Sequence, residues 1–124
     1  VLNADEPRLL ELAELCDGAV VLYGRSAQLP ALAAHLERDG RAVTLRDGQI
    51  VLHQGSSLEP CGNGRGSEVV RRLGADAVLP AVAAAWAMGL AAPLISAGLE
   101  TFESSLTSAQ STSRDAVANP RTPA

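Results

Sequence analysis

Two kinds of hydrophobic spacing alternate along the chain. Val1-Leu2 reads as the end of a strand that begins before the sequence does. Leu9, Leu10, Leu12, Ala13 and Leu15 then recur at helical intervals, with Arg8, Glu11 and Glu14 on the other side. Asp5 is placed to cap this helix, Pro7 suits its first turn and Asp17-Gly18 ends it. Ala19 to Tyr23 is an unbroken apolar, β-branched run, the pattern of a strand covered on both faces. A turn over Gly24 to Gln28 leads to a second helix marked by Leu29, Leu32, Ala33 and Leu36 and stopped by Asp39-Gly40.

The spacing then changes to strict alternation. Arg41–Arg46 and Gln49–Gln54 flank Asp47-Gly48, the dipeptide favoured in type I′ turns. Val43 and Leu45 fall on one face, as do Ile50 and Leu52, which predicts a β-hairpin. Gly55 to Ser67 reads as loop, and Glu68 to Leu73 fits a short helix or a strand equally well. Asp76 to Met88 reads as an Ala-rich helix, capped by Asp76 or begun at Pro80, and a short helix is expected from Pro93 to Thr101. Beyond Phe102 eight of the last 22 residues are Ser or Thr and apolar periodicity fades. The expected division is therefore a domain over residues 1–102 and a Ser/Thr-rich linker or disordered tail over 103–124. The fold class is α/β: a mixed sheet with a hairpin at about residues 41–54 and flanking helices.

Composition sharpens this reading. The 124 residues are 47% hydrophobic and 19% charged, room for one modest globular domain or part of a larger one. Ala (22) and Leu (18) supply most of the apolar residues, while Phe, Trp, Tyr and Met occur once each. A core of small side chains on so short a chain is marginal, which suggests a piece that leans on something else. All ten basic residues are Arg, so a P-loop Lys, a Schiff-base Lys and a Lys general base are excluded within this sequence. A net charge of −4 argues against a nucleic-acid partner. Cys16 and Cys61 lack CxxC spacing and read as buried or incidental thiols. The most apolar stretch, Ala75 to Leu99, is broken by Pro80, Gly89, Pro93 and Gly98, against a membrane span. The expected compartment is the cytoplasm.

Few residues carry a chemical signal. Gly62-Asn63-Gly64-Arg65-Gly66-Ser67 is not GxGxxG and follows no recognisable strand, so a flexible loop is favoured over a phosphate cradle. His35 and His53 have no partner at metal-ligand spacing and read as structural or exposed. Ser26 lacks the second Gly of a nucleophile elbow. Trp86 and Met88 read as core packing. Asn3 and Asp5 are better placed, because ligands of α/β sheets gather beyond the carboxyl ends of strands.

Several segments, taken in order, resemble the central ATP-binding domain of the Mur-type ligase family, and within it the cyanophycin synthetases. Val1-Leu2-Asn3-Ala4-Asp5-Glu6-Pro7 is similar to the family's strand-end Asn-Ala-Asp-Asp-Pro. Ala33-Ala34-His35, Gly40-Arg41-Ala42-Val43 and Arg46-Asp47-Gly48-Gln49-Ile50-Val51-Leu52 resemble the segment running into and through its hairpin. Ala83-Ala84-Ala85-Trp86-Ala87-Met88-Gly89-Leu90 and Ile95 to Phe102 look like its last helices, where Gly-Leu-x-Thr-Phe is usual. Asn119-Pro120-Arg121 is similar to a worn Asn-Pro-Gly-Arg. Two stretches depart from the pattern. Alignment on Trp86 puts Ala77 where an Asn near the adenine is usual, and Gly62 to Gly74 lacks the usual apolar strand.

The resemblance implies the second half of such a domain, cut at both ends. Its missing partners are a P-loop-bearing half before it and a C-terminal ligase domain after it, with homo-oligomerisation left open. For the complete enzyme it implies ATP and Mg2+ as cofactors, an acyl-phosphate made on a carboxylate, and attack by an amino-acid amine to form an amide. Asn3, Asp5 and Arg121 are then the nucleotide-binding candidates, no catalytic residue is assigned, and the 124 residues alone are expected to be inactive. The alternative from a different class is a non-catalytic α/β binding or scaffold module derived from that fold.

Overall fold

A computed structural model describes residues 1–62 and 68–118. It is an α/β structure in which one five-stranded sheet, in the order β1-β2-β3-β4-β5, carries helices on both faces. The strands are β1 (Leu2–Asn3), β2 (Val21–Tyr23), β3 (Arg41–Arg46), β4 (Gln49–Gln54) and β5 (Ser57–Cys61). The first three are parallel, and β4 and β5 return antiparallel as a meander.

Alternation along the strands assigns the two faces. Leu22 and Ala42 pack with Leu32 beneath α1 (Pro7–Leu10) and α2 (Pro30–Glu37). Val21, Val43, Ile50, Leu52 and Cys61 point the other way. There they meet Val69 of α3 (Glu68–Leu73), Val78, Leu79 and Val82 of α4 (Ala75–Ala87), and Ile95 of α5 (Ala92–Ala118).

The hairpin forms as its alternation predicts. Arg46 pairs with Gln49, and Asp47 and Gly48 take φ of 52° and 79°, the two left-handed positions of a type I′ turn. The end of α2 also follows its sequence. Asp39 adopts φ 63°, its N–H bonds to Leu36 O at 3.0 Å and the Gly40 N–H bonds to His35 O at 3.0 Å, a Schellman closure with Asp in the left-handed position. Gly89 (φ 100°) closes α4 in the same way, through bonds from Gly89 to Trp86 O and from Leu90 to Ala85 O.

Five expectations are corrected. Residues 57–61 form β5 rather than loop, pairing Leu52 with Glu59 and Ile50 with Cys61. Pro60 hid this strand. It sits opposite Val51 at a non-hydrogen-bonded position, so its missing N–H faces the open edge and removes no ladder bond. Asp5 does not cap α1. The capping position is Glu6, without a side-chain bond, and the helix gives way after Leu10 to a 3-10 turn over Glu11–Leu15. Gly74 precedes α4, Asp76 lies in its first turn and Pro80 inside it, so neither expected start applies. Met88 is 85% exposed and is not core, whereas Trp86 is half-buried against the α4 face of the sheet. Finally, α5 continues to Ala118 instead of ending near Thr101, because neither Gly nor Pro interrupts 99–118. Glu68–Leu73, open between helix and strand on sequence, is a helix in which Arg72 pairs with Glu68 at 2.8 Å and Arg71 pairs with it too.

Candidate functional site

The parallel strands end together at Asn3 and Tyr23, which are register partners, and the chain turns sharply after each. Asn3 Oδ1 accepts the Asp5 N–H at 2.9 Å, and Asn3 O accepts the Glu6 N–H at 3.3 Å. This Asx turn folds Asp5 back over the strand end. The Ala4 N–H bonds to Tyr23 O at 2.7 Å and the Gly24 N–H to Val43 O at 3.1 Å, so both turns are stitched to the strand beside them. Gly24 is tightly enclosed: a Cβ there would sit 3.0 Å from Leu32 Cδ1 and 3.3 Å from Leu29 Cδ1.

Asp5 is therefore a link and not a cap. Its Oδ2 accepts the Arg25 N–H at 3.3 Å, which holds the loop after β2 against the loop after β1. The Arg25 side chain then reaches across the strand ends to Asp76 in the first turn of α4, at 3.0 Å. Asn3, Asp5, Arg25 and Asp76 thus join two strand ends and one helix start at the carboxyl edge of the parallel strands. The Arg25–Asp76 pair is well exposed and contributes little to stability. Ser26 turns inward to its own loop, with its Oγ accepting the Gln28 N–H at 3.1 Å.

The structure joins Asn3 and Asp5 through the Asx turn, while Arg121 lies outside the described residues, as do Asn63–Ser67. Ala77, where the resemblance would place an Asn, is exposed in the first turn of α4 beside Asp76. Sequence reading missed Arg25 and Asp76. The strand-end rule that singled out Asn3 applies equally to Tyr23, and Arg25 stands two residues beyond it.

The groups with shifted titration lie elsewhere. Burial lowers the pKa of His53, with Arg46 adding to the effect, and His53 Nε2 shares a 2.8 Å hydrogen bond with Thr44 Oγ1. Burial also raises the Cys61 thiol, which lies 3.6 Å from the donating Ser96 hydroxyl. That bond acts in the opposite sense, and Glu59 adds a smaller upward push. His35 is structural, its Nε2 lying 3.0 Å from Arg41 O. Cys16 and Cys61 are both free thiols. Among the described residues no three His, Cys, Asp or Glu side chains gather as metal ligands, and no helix is long and apolar enough to cross a membrane.

The strand-end edge thus offers one guanidinium, two carboxylates and short backbone turns, a set suited to holding a polar ligand. Comparison with known proteins finds no matching family model and no matching curated protein.

Proposed function

We propose that this chain is the nucleotide-side portion of an ATP-dependent amide-bond ligase of the Mur type, similar to the cyanophycin synthetases, acting in the cytoplasm. The observation that supports it most is the Asn3–Asp5 Asx turn. Residues that match the family's strand-end motif lie together at the carboxyl edge of parallel strands, where α/β sheets take their ligands. Arg25 supplies a cation at that edge, and Asp5 fixes the backbone from which it projects. In the complete enzyme ATP would activate a carboxylate as its acyl-phosphate for attack by an amino-acid amine. The chain's own contribution would be to bind and orient the nucleotide.

Magnesium fits this part poorly on its own. Asp5 and Asp76 are not joined by a third ligand among the described residues, and Mg2+ in nucleotide sites relies on phosphate oxygens with one or two carboxylates. No step is therefore assigned to a metal held by these residues. The second reading, a non-catalytic binding or scaffold module, is favoured by Ala77, which offers no polar side chain, and by the occupation of Arg25 by Asp76.

Two measurements separate these readings. Equilibrium binding of ATP to the purified chain should be weak, should fall further in Asp5→Ala, and should occur without turnover. ATP hydrolysis by the chain alone would refute the expectation that it is inactive in isolation. The coding sequence upstream should carry a GxxxxGK[ST] segment in frame; a stop or an unrelated domain there would favour the scaffold module.

A further inference from the structure

At the opposite end of the sheet from Asn3 and Asp5 lies a cleft of about 380 Å³, lined by Leu52, Gln54, Ser57, Leu58, Glu59 and Trp86. That volume falls within the range of small-molecule pockets, roughly 300–1,000 Å³. Its layout follows from register. Arg41, Gln54 and Ser57 form one row across β3, β4 and β5, and Leu52 and Glu59 are partners in the next row on the same face. Trp86, near the end of α4, lies over these rows with its ring 5.0 Å from the Arg41 guanidinium carbon.

Two opposite charges flank the cleft, Glu59 in its lining and Arg41 beside the Trp86 ring. Among the described residues the Arg41 guanidinium lies against the Trp86 ring and forms no ion pair, and Glu59 has neither an ion pair nor a hydrogen bond on its carboxylate. They stand on strands two spacings apart, about 10 Å between backbones, with Gln54 on the strand between them. A lone anion would be drawn to Arg41 but repelled by Glu59, and a lone cation the reverse. A molecule carrying both charges satisfies both.

We infer that this cleft binds a small zwitterion of the amino-acid class. Its carboxylate would lie toward Arg41, its ammonium toward Glu59, and its apolar side chain against Trp86 and Leu52. The Gln54 amide and Ser57 hydroxyl are within the same lining and supply neutral hydrogen bonds. The site stands apart from the nucleotide edge and does not depend on the ligase reading.

Trp86 is the chain's single tryptophan and lines the cleft, so tryptophan emission comes from a ring at the proposed site. Titration with L-leucine should give a saturable change in emission. N-acetylleucine, which lacks the ammonium, and leucinamide, which lacks the carboxylate, should each bind roughly tenfold or more weakly, the scale of a lost charge-assisted bond. Glu59→Gln should erase the discrimination against N-acetylleucine while keeping that against leucinamide, and Arg41→Gln should do the converse. Glu59 is exposed on an edge strand, so its variant tests recognition with little risk to folding. No saturable change at tens of millimolar leucine, or equal binding of leucine and its two derivatives, would overturn the inference.

Discussion

The hairpin β3–β4 and the first crossover, from α1 through the 3-10 turn, use their apolar residues in opposite ways. In the hairpin Ala42, Val43, Thr44, Ile50, Val51, Leu52 and His53 are all buried, and the polar pair Thr44–His53 satisfies itself by a hydrogen bond. In the crossover no residue of α1 or of Glu11–Leu15 is buried, and Leu12 and Leu15 point largely to solvent. Both segments carry a clear hydrophobic pattern. The difference lies in what holds each in register. The hairpin is closed locally by a turn that only one pairing fits, whereas an amphipathic helix must find its partner elsewhere.

Gly40→Ala is the most damaging way to test the ordered side. Gly40 lies under the His35 imidazole, and a Cβ would come within 2.6 Å of Cδ2 and Cε1 of a ring held by Arg41 O. The ring would have to leave, which should cost about 2–4 kcal/mol from overpacking and the lost hydrogen bond. Chemical denaturation should show this loss, and much of it should disappear when the substitution is made in His35→Ala. Additive effects of the two changes would mean that the contact does not tie α2 to β3.

Gly48→Val attacks the turn itself. Gly48 has φ 79°, a region that a β-branched residue adopts only with strain, and the expected cost is about 1–3 kcal/mol. Thermal melts followed by circular dichroism should shift down clearly. An unchanged melt would remove the type I′ turn from the explanation of register.

His53 makes hairpin stability depend on pH. Its folded pKa lies below the unfolded value of 6.5, so the folded state takes up its proton later than the unfolded chain does. Stability from this group is complete above pH 6.5 and is lost as pH falls from there toward the folded pKa. Denaturation midpoints measured across that range should fall with acid, and His53→Gln should flatten the slope even though it lowers stability at neutral pH. A slope of the same size in the variant would place the titration elsewhere.

How much was legible follows the same division. The hairpin was readable to the residue because its alternation, its turn dipeptide and its pairing are all local. The edge strand β5 was not, since Pro60 and the exposed Ser57, Leu58 and Glu59 suppress every strand signal while leaving the ladder intact. At the candidate site Asn3 and Asp5 were located through strand order, but the role of Asp5 was misread. A carboxylate before a helix suits a cap, and only the fold brings the Arg25 N–H, 20 positions away, within reach. Asp76 was noticed as a helix start, yet its pairing with Arg25 is a contact between distant segments that no local spacing encodes.

The smallest expected effect belongs to the crossover, and it probes the contrast from the other side. Helical spacing of Leu9, Leu10, Leu12, Ala13 and Leu15 predicts one amphipathic helix with its apolar side inward. The structure instead ends α1 at Leu10 and tightens into a 3-10 turn, which leaves Leu15 77% exposed. A 3-10 turn has three residues per turn, so Leu12 and Leu15, three apart, share one side of the segment, and that side faces solvent. Leu15→Ser should therefore change stability by no more than about 0.5 kcal/mol, the usual size for an exposed position. Leu32→Ala, at a fully buried site on the same face of the sheet, provides the scale and should cost about 2–5 kcal/mol. If Leu15→Ser approached the cost of Leu32→Ala in the same denaturation assay, residues 7–15 would be packing as the continuous helix that their spacing predicts, and the crossover would belong with the hairpin among the tightly packed parts of the chain.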